Sequence, residues 1–172
     1  MVSTPVLKEN METAATLIKA AAVDGAKLVV LPEYFCLMGL KDNDKVHARE
    51  AFGKGPIQEA LATIAKENAL YLVAGTIPLE AKNPNKVLNT MLAFNPDGLS
   101  IGRYDKIHLF GFQTSTERYQ ESETIEAGDV PGILKMSVNG QDWTFGLSIC
   151  YDLRFPELYR ALGQVDCHII PA

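Results

Sequence analysis

The feature that most constrains this chain is its alternation between two kinds of apolar pattern. "KENMETAATLIKAAAVDGA" (8–26) places Met11, Ala14, Leu17, Ile18, Ala21 and Ala22 at helical spacing, with Gly25 as a stop signal. Directly after it comes "KLVVLPEYF" (27–35), a short continuous apolar run of the kind a strand buried on both faces needs, closed by Pro32-Glu33. The pair then repeats. "PIQEALATIAKENA" (56–69) predicts a second helix, with Pro56 suited to a first turn where no N–H is required, and "LYLVAGTIPL" (70–79) predicts a second strand. Helices and strands alternating in this way must be laid against one another, because neither buries its apolar face alone.

From residue 87 the alternation gives way to hairpins. "VLNTMLAFN" and "SIGRYDKIHLF" flank the turn signal "PDG" (96–98), while "ILKMSV" and "WTFGLSIC" flank a turn pivoting on Asn139-Gly140. A helix at "PELYRALGQ" (156–164) and a strand at "CHIIPA" (167–172) complete a layered α/β pattern with a mixed sheet. Residues 110–133 are the longest stretch without a pattern, and irregular segments of that length are commonly functional. No strand precedes the helix at 8–26, and the last strand stops at Ala172 with no partner after it. These two observations predict that residues 1–172 form one partial domain, lacking a first strand and a C-terminal part.

The composition excludes several classes of function. A chain that is 47% hydrophobic and 22% charged can bury a sizeable core. The net charge of −5, with no dense Lys/Arg patch, gives no electrostatic reason to bind nucleic acid. No apolar stretch has the length of a membrane span. Cys36, Cys150 and Cys167 are odd in number and far apart, which predicts reduced thiols and a cytoplasmic setting rather than a disulfide scaffold. His47, His108 and His168 are scattered, without metal-ligand spacing.

Three strand ends carry reactive groups: Glu33 in "VVLPEYF", Lys106 in "RYDKIHLF" and Cys150 in "GLSICYDLRFPEL". In open α/β sheets the carboxyl ends of different strands can meet around a ligand. A thiol, an enclosed carboxylate and a fixed ammonium together suit acyl transfer, as nucleophile, general base and oxyanion partner. Each residue alone has a plainer reading. Buried cysteines are more often small hydrophobes than nucleophiles, and a lysine after a strand is usually at the surface.

Taken together, "LVVLPEYF", "YDKIHLFGF" and "SICYDLRFPELYR" resemble, in order, the three signature segments of the nitrilase (carbon–nitrogen hydrolase) superfamily, and most of all its Nit-type amidase branch. The resemblance implies a four-layer α-β-β-α sandwich, here incomplete at both ends, and a catalytic triad of Glu33, Lys106 and Cys150. It implies a second glutamate that assists the hydrolytic water, Glu121 of "YQESETIEAG", with Glu117 as the less suitable candidate. Tyr34, Phe110 and Tyr151 are expected to line the substrate pocket. Asp152 and Arg154 are expected to form an ion pair that stiffens the Cys150 segment, and Cys36 and Cys167 to serve in packing. The implied reaction is hydrolysis of a small-molecule amide through a cysteine thioester, without cofactor, in a homodimer or higher homo-oligomer. Two alternatives stay open: an N-carbamoyl amide hydrolase or nitrilase using the same triad, or a non-catalytic binding or assembly chain.

Overall fold

A computed structural model describes all 172 residues. Helix α1 (Leu7–Val23) buries Asn10, Ala14 and Ile18 along one stripe, and α3 (Pro56–Glu67) buries Ile57, Leu61 and Ala65. Between them lie strand β1 (Leu28–Val30) and the single-turn helix α2 (Asp44–His47). Strand β1 is shorter than the 27–35 run predicts. Leu31 still donates to Val73 O at 2.9 Å, but Pro32 has no N–H to continue the ladder, and the chain leaves the sheet there.

Strands β2 (Tyr71–Glu80), β3 (Val87–Phe94) and β4 (Ser100–Asp105) follow as an antiparallel meander, with β1 added parallel to β2. The segment 110–133 is more ordered than its sequence predicts. It contains the ribbon β5 (Gly111–Gln113) and β6 (Arg118–Gln120), a 3-10 turn at Glu121–Glu123, and β7 (Ile125–Glu126), which pairs with the start of β3. Pieces of two or three residues are too short to show a period. The second hairpin is β8 (Gly132–Val138) and β9 (Gln141–Leu147), joined through Asn139 (φ 54°) and Gly140 (φ 77°). After α4 (Pro156–Leu162), β10 (Cys167–Ile169) adds parallel to β9. The strands form two sheets, β1-β2-β3-β4 and β10-β9-β8, plus the small ribbon, as the expected sandwich requires.

The layers follow from strand alternation. On β2 and β3, Leu72, Ala74, Leu92 and Phe94 face α1 and α3, in one core with Ala14, Ile18, Leu61 and Ala65. Their neighbours Val73, Met91 and Ala93 face the other way, into a second core with Leu134, Met136, Phe145 and Leu147 of the opposing sheet. A Cβ built on Gly146 would meet Leu162 of α4 at 3.0 Å, which puts that helix on the outer face of β9. The order is therefore helices, sheet, sheet, helix, the four-layer α-β-β-α arrangement.

Candidate active site

Glu33 lies three residues beyond β1, held there by an irregularity in β2. The β2–β3 register shifts between Ala74 and Ile77, leaving Gly75 and Thr76 out of step. A Cβ at Gly75 would stand 1.9 Å from Pro32 O, so only glycine lets the Leu31–Glu33 backbone approach this closely. Thr76, fully buried, accepts the Tyr34 N–H at 2.8 Å through Oγ1 and fixes Tyr34 at φ 54°, outside the usual range for a bulky residue.

Lys106 follows β4 directly, with its backbone N–H donated to Asn89 O at 3.0 Å. Its side chain is fully buried, and Nζ sits between two carboxylates: 2.9 Å from Glu33 Oε1 and 3.0 Å from Glu121 Oε2. Burial alone would lower the lysine's pKa, but the charges of Glu33 and Glu121 outweigh it and raise the pKa above the ordinary value. The ammonium therefore persists at neutral pH. Glu33 also accepts Asn89 Nδ2 at 2.9 Å, again on Oε1. Glu121 is fully engaged. Tyr34 donates its hydroxyl to Oε1 at 2.8 Å, Phe110 donates its N–H to Oε2 at 2.7 Å, and Lys106 reaches both oxygens.

Cys150 comes from the other sheet. It opens the 3-10 turn Cys150–Arg154 three residues after β9, at φ 46°, and donates its backbone N–H to Pro171 O at 2.9 Å. A left-handed non-glycine backbone costs on the order of 1–3 kcal/mol and is common where a side chain must be presented at a reactive site. The half-buried thiol has a raised pKa, chiefly from burial and next from the negative charge of Glu33, with Lys106 pulling the other way. Glu33 thus acts on the thiol directly, through its charge and a side-chain hydrogen bond that favours the protonated form.

The segment around Cys150 is fixed differently from the expected Asp152–Arg154 ion pair. Asp152 is fully buried and points inward, whereas Arg154 is exposed. The Asp152 carboxylate accepts Tyr104 OH at 2.7 Å, Ile149 N–H at 2.9 Å and His108 N–H at 2.9 Å, and lies 2.7 Å from His108 Nδ1. A buried carboxylate needs several donors, and an arginine two residues along a tight turn cannot supply them. His108 stacks on Phe155 at 3.7 Å between ring centroids.

Residues 3–172 match the carbon-nitrogen hydrolase family along nearly the whole chain. The chain belongs to that family. It is 36% identical to the omega-amidase NIT2 of Xenopus tropicalis, covering 96% of this chain and 58% of the relative. It is 37% identical to the deaminated glutathione amidase of Synechocystis sp., covering 100% and 63%. The crystal structure of Saccharomyces cerevisiae Nit3, a member of branch 10 of the nitrilase superfamily, superposes with a TM-score of 0.79 at 32% identity, covering 98% of this chain and 60% of that one. The chain therefore spans about three fifths of these relatives' length.

Lys106 contacts both Glu33 and Glu121, and the charges of all three act on the Cys150 thiol. Phe110 and Tyr151 meet edge to face at 5.2 Å beside them, with Tyr151 also against Phe155 at 5.4 Å. Glu117 is not with them. It is exposed and closes the β5–β6 turn through Thr114. Cys36 is buried, with a pKa pushed by burial up to about 12, but Cys167 is exposed on β10 rather than packed. Sequence reasoning missed Asn89, Thr76 and Tyr104, whose roles depend on partners 56, 42 and 48 residues away. Only the glycine within an otherwise apolar strand, at Gly75, hinted at the close backbone approach.

Proposed function

We propose that this chain carries the catalytic centre of an amidase that hydrolyses the C–N bond of a small carboxyamide through a Cys150 thioester, releasing ammonia. One observation supports the reading above the others: Lys106 and Asn89 both hold Glu33 by Oε1, and the Glu33 carboxylate acts directly on a thiol that it and burial keep protonated. That is the state a general base needs before it acts.

Glu33 takes the Cys150 proton, and the thiolate adds to the amide carbon. The carbonyl oxygen becomes an oxyanion, held by the Lys106 ammonium and the Tyr151 backbone N–H. Collapse of the tetrahedral intermediate breaks the C–N bond as protonated Glu33 gives its proton to the departing nitrogen, which leaves as ammonia. Glu33, again a carboxylate, deprotonates water, the hydroxide displaces the Cys150 thiolate to give the carboxylic acid, and Glu33 returns the proton to the thiolate. Glu121, with both oxygens already bonded, holds Lys106 in position and supplies negative charge that keeps it protonated. Tyr34, Phe110 and Tyr151 form the aromatic side of the pocket. No residue in the sequence requires a cofactor. Three unbonded cysteines support a cytoplasmic setting, and the family resemblance supports a homodimer or higher homo-oligomer.

Ammonia release from a panel of amides, N-carbamoyl compounds and nitriles tests the proposal. Turnover of small carboxyamides that Cys150→Ser abolishes is the expected result. Preference for carbamoyl compounds or nitriles would move the reading to the other triad hydrolases. A folded protein that turns over none of the three classes would make this a binding or assembly chain.

A further inference from the structure

Asn89 is an amide buried where an apolar side chain would pack. It is 2% exposed on β3, in register with Pro78 of β2, and strand alternation puts it on the same face as Met91 and Ala93 of the second core. An amide is costly to bury without a hydrogen bond, so its partners show what it serves. Its side chain donates Nδ2 to Glu33 Oε1 at 2.9 Å, and its backbone carbonyl accepts the Lys106 N–H at 3.0 Å. One residue thus touches both the base and the start of the cation's side chain. Lys106 Nζ reaches the same Glu33 oxygen at 2.9 Å, but it is shared with Glu121, at 3.2 Å from Oε1 and 3.0 Å from Oε2. An ammonium has three rotatable donors, and one divided between two carboxylates does not fix the plane of either. A planar amide anchored in a central strand does.

We propose that Asn89 is a positioning residue that, together with Lys106, occupies Oε1 of Glu33 and so assigns every proton transfer of the reaction to Oε2. The assignment rests on the amidase reading above. A carboxylate oxygen has two lone pairs, and two N–H donors on Oε1 fill both. The Cys150 proton is then received by Oε2, passed from Oε2 to the departing nitrogen, replaced there by a proton from water and returned to the thiolate. Oε1 stays an acceptor throughout, as a carboxylate oxygen before each transfer and as the carbonyl oxygen of the acid after it. The carboxyl group therefore has no need to turn between steps, and the geometry is set before the reaction begins. Asn89 touches neither substrate nor thiol in this scheme; it acts through Glu33.

The test compares the intact enzyme with Asn89→Leu, which keeps the shape of the amide without its donor, and Asn89→Asp, which offers an O–H of the same reach only while protonated. A hydrogen bond to a charged group is worth about 10- to 100-fold, so Asn89→Leu should lose that factor in kcat, with KM on a small carboxyamide within about threefold of wild type. Asn89→Asp should approach wild type as pH falls from about 8 to about 6, because a carboxyl facing Glu33 takes up its proton there, while Asn89→Leu recovers at no pH. Equal losses in the two variants at every pH would overturn the proposal and leave Asn89 as a packing residue of β3. A second readout needs no turnover. Glu33→Gln removes a charge that raises the Cys150 pKa, and the resulting shift in the iodoacetamide profile should shrink by about half or more in an Asn89→Leu background, where Glu33 is no longer held in place. An undiminished shift would also overturn it. If Asn89→Leu does not fold, Asn89→Ala takes its place in both measurements. If the wild type hydrolyses no amide, the amidase reading fails by itself, and the alkylation cycle still decides whether Asn89 positions Glu33.

Discussion

Tyr104 donates its hydroxyl to Asp152 Oδ2 at 2.7 Å, and this bond joins the two sheets beneath the reactive groups. Tyr104 lies one residue before the end of the ladder that leads to Lys106, and Asp152 belongs to the turn that presents Cys150. Removing the carboxylate strands the Tyr104 hydroxyl and the Ile149 and His108 N–H groups together, at about 1–3 kcal/mol for each unpaired buried group. Asp152→Ala should therefore cost about 3 kcal/mol or more of stability, while Tyr104→Phe, which loses one bond and no shape, should cost about 1 kcal/mol. Urea unfolding measures both. Equal small effects would mean that the turn is held by its backbone alone.

The charge balance around Cys150 predicts an ordering of alkylation profiles with pH. In the wild type the thiol titrates above the ordinary cysteine range, because burial and the Glu33 charge outweigh Lys106. Glu33→Gln removes a negative charge that raises the pKa, so its midpoint should move to lower pH even as turnover is lost. Lys106→Met removes the positive charge that lowers it, and its midpoint should move higher. Iodoacetamide rates resolved by peptide mass spectrometry would show this, with buried Cys36 unlabelled and exposed Cys167 as the internal reference. A Glu33→Gln profile shifted upward would contradict the geometry.

Lys106 should matter to stability as well as to turnover. Its removal leaves Glu33 and Glu121 facing one another without a cation, and breaking such a buried arrangement typically costs about 3–5 kcal/mol. Because the folded pKa of Lys106 is raised, its contribution is fully present below the unfolded lysine value of about 10.4 and is lost as pH climbs through the folded value. Thermal melts of Lys106→Met should lie below wild type from pH 6 to 9 and converge only at strongly alkaline pH. Glu33→Gln keeps an acceptor for Lys106 and Asn89, so it should cost turnover about 10²–10⁴-fold with a much smaller change in melting. The double variant should be little slower than either single one, since the two act in one step.

Glu121 and Glu117 are separated by their bonding. Glu121→Gln frees Lys106 from one of its two carboxylates and disturbs the Tyr34 and Phe110 contacts, so turnover should fall in both acylation and hydrolysis. Intact-mass measurement should then find no build-up of acyl-enzyme on Cys150. Build-up would place Glu121 at the hydrolytic water instead. Glu117→Gln, at the exposed tip of the β5–β6 ribbon, should leave turnover within about twofold and melting within about 0.5 kcal/mol of wild type.

Hydrophobic period is a local property, and it was enough to locate both large helices, the two hairpins and the strand ends bearing Glu33, Lys106 and Cys150. The motifs at those ends also named the family, because Glu33, Lys106 and Cys150 each sit in a distinctive short run. How the side chains are held was not local. Lys106 meets Glu33 across 73 residues, and Asp152 meets Tyr104 across 48. A buried polar atom must find a partner, but the sequence does not say which distant atom will be near enough; folding the two sheets face to face decides that. The same reason explains the misplaced Asp152–Arg154 pair: proximity in sequence suggested a partner, and burial of one residue with exposure of the other selected Tyr104, His108 and Ile149 instead.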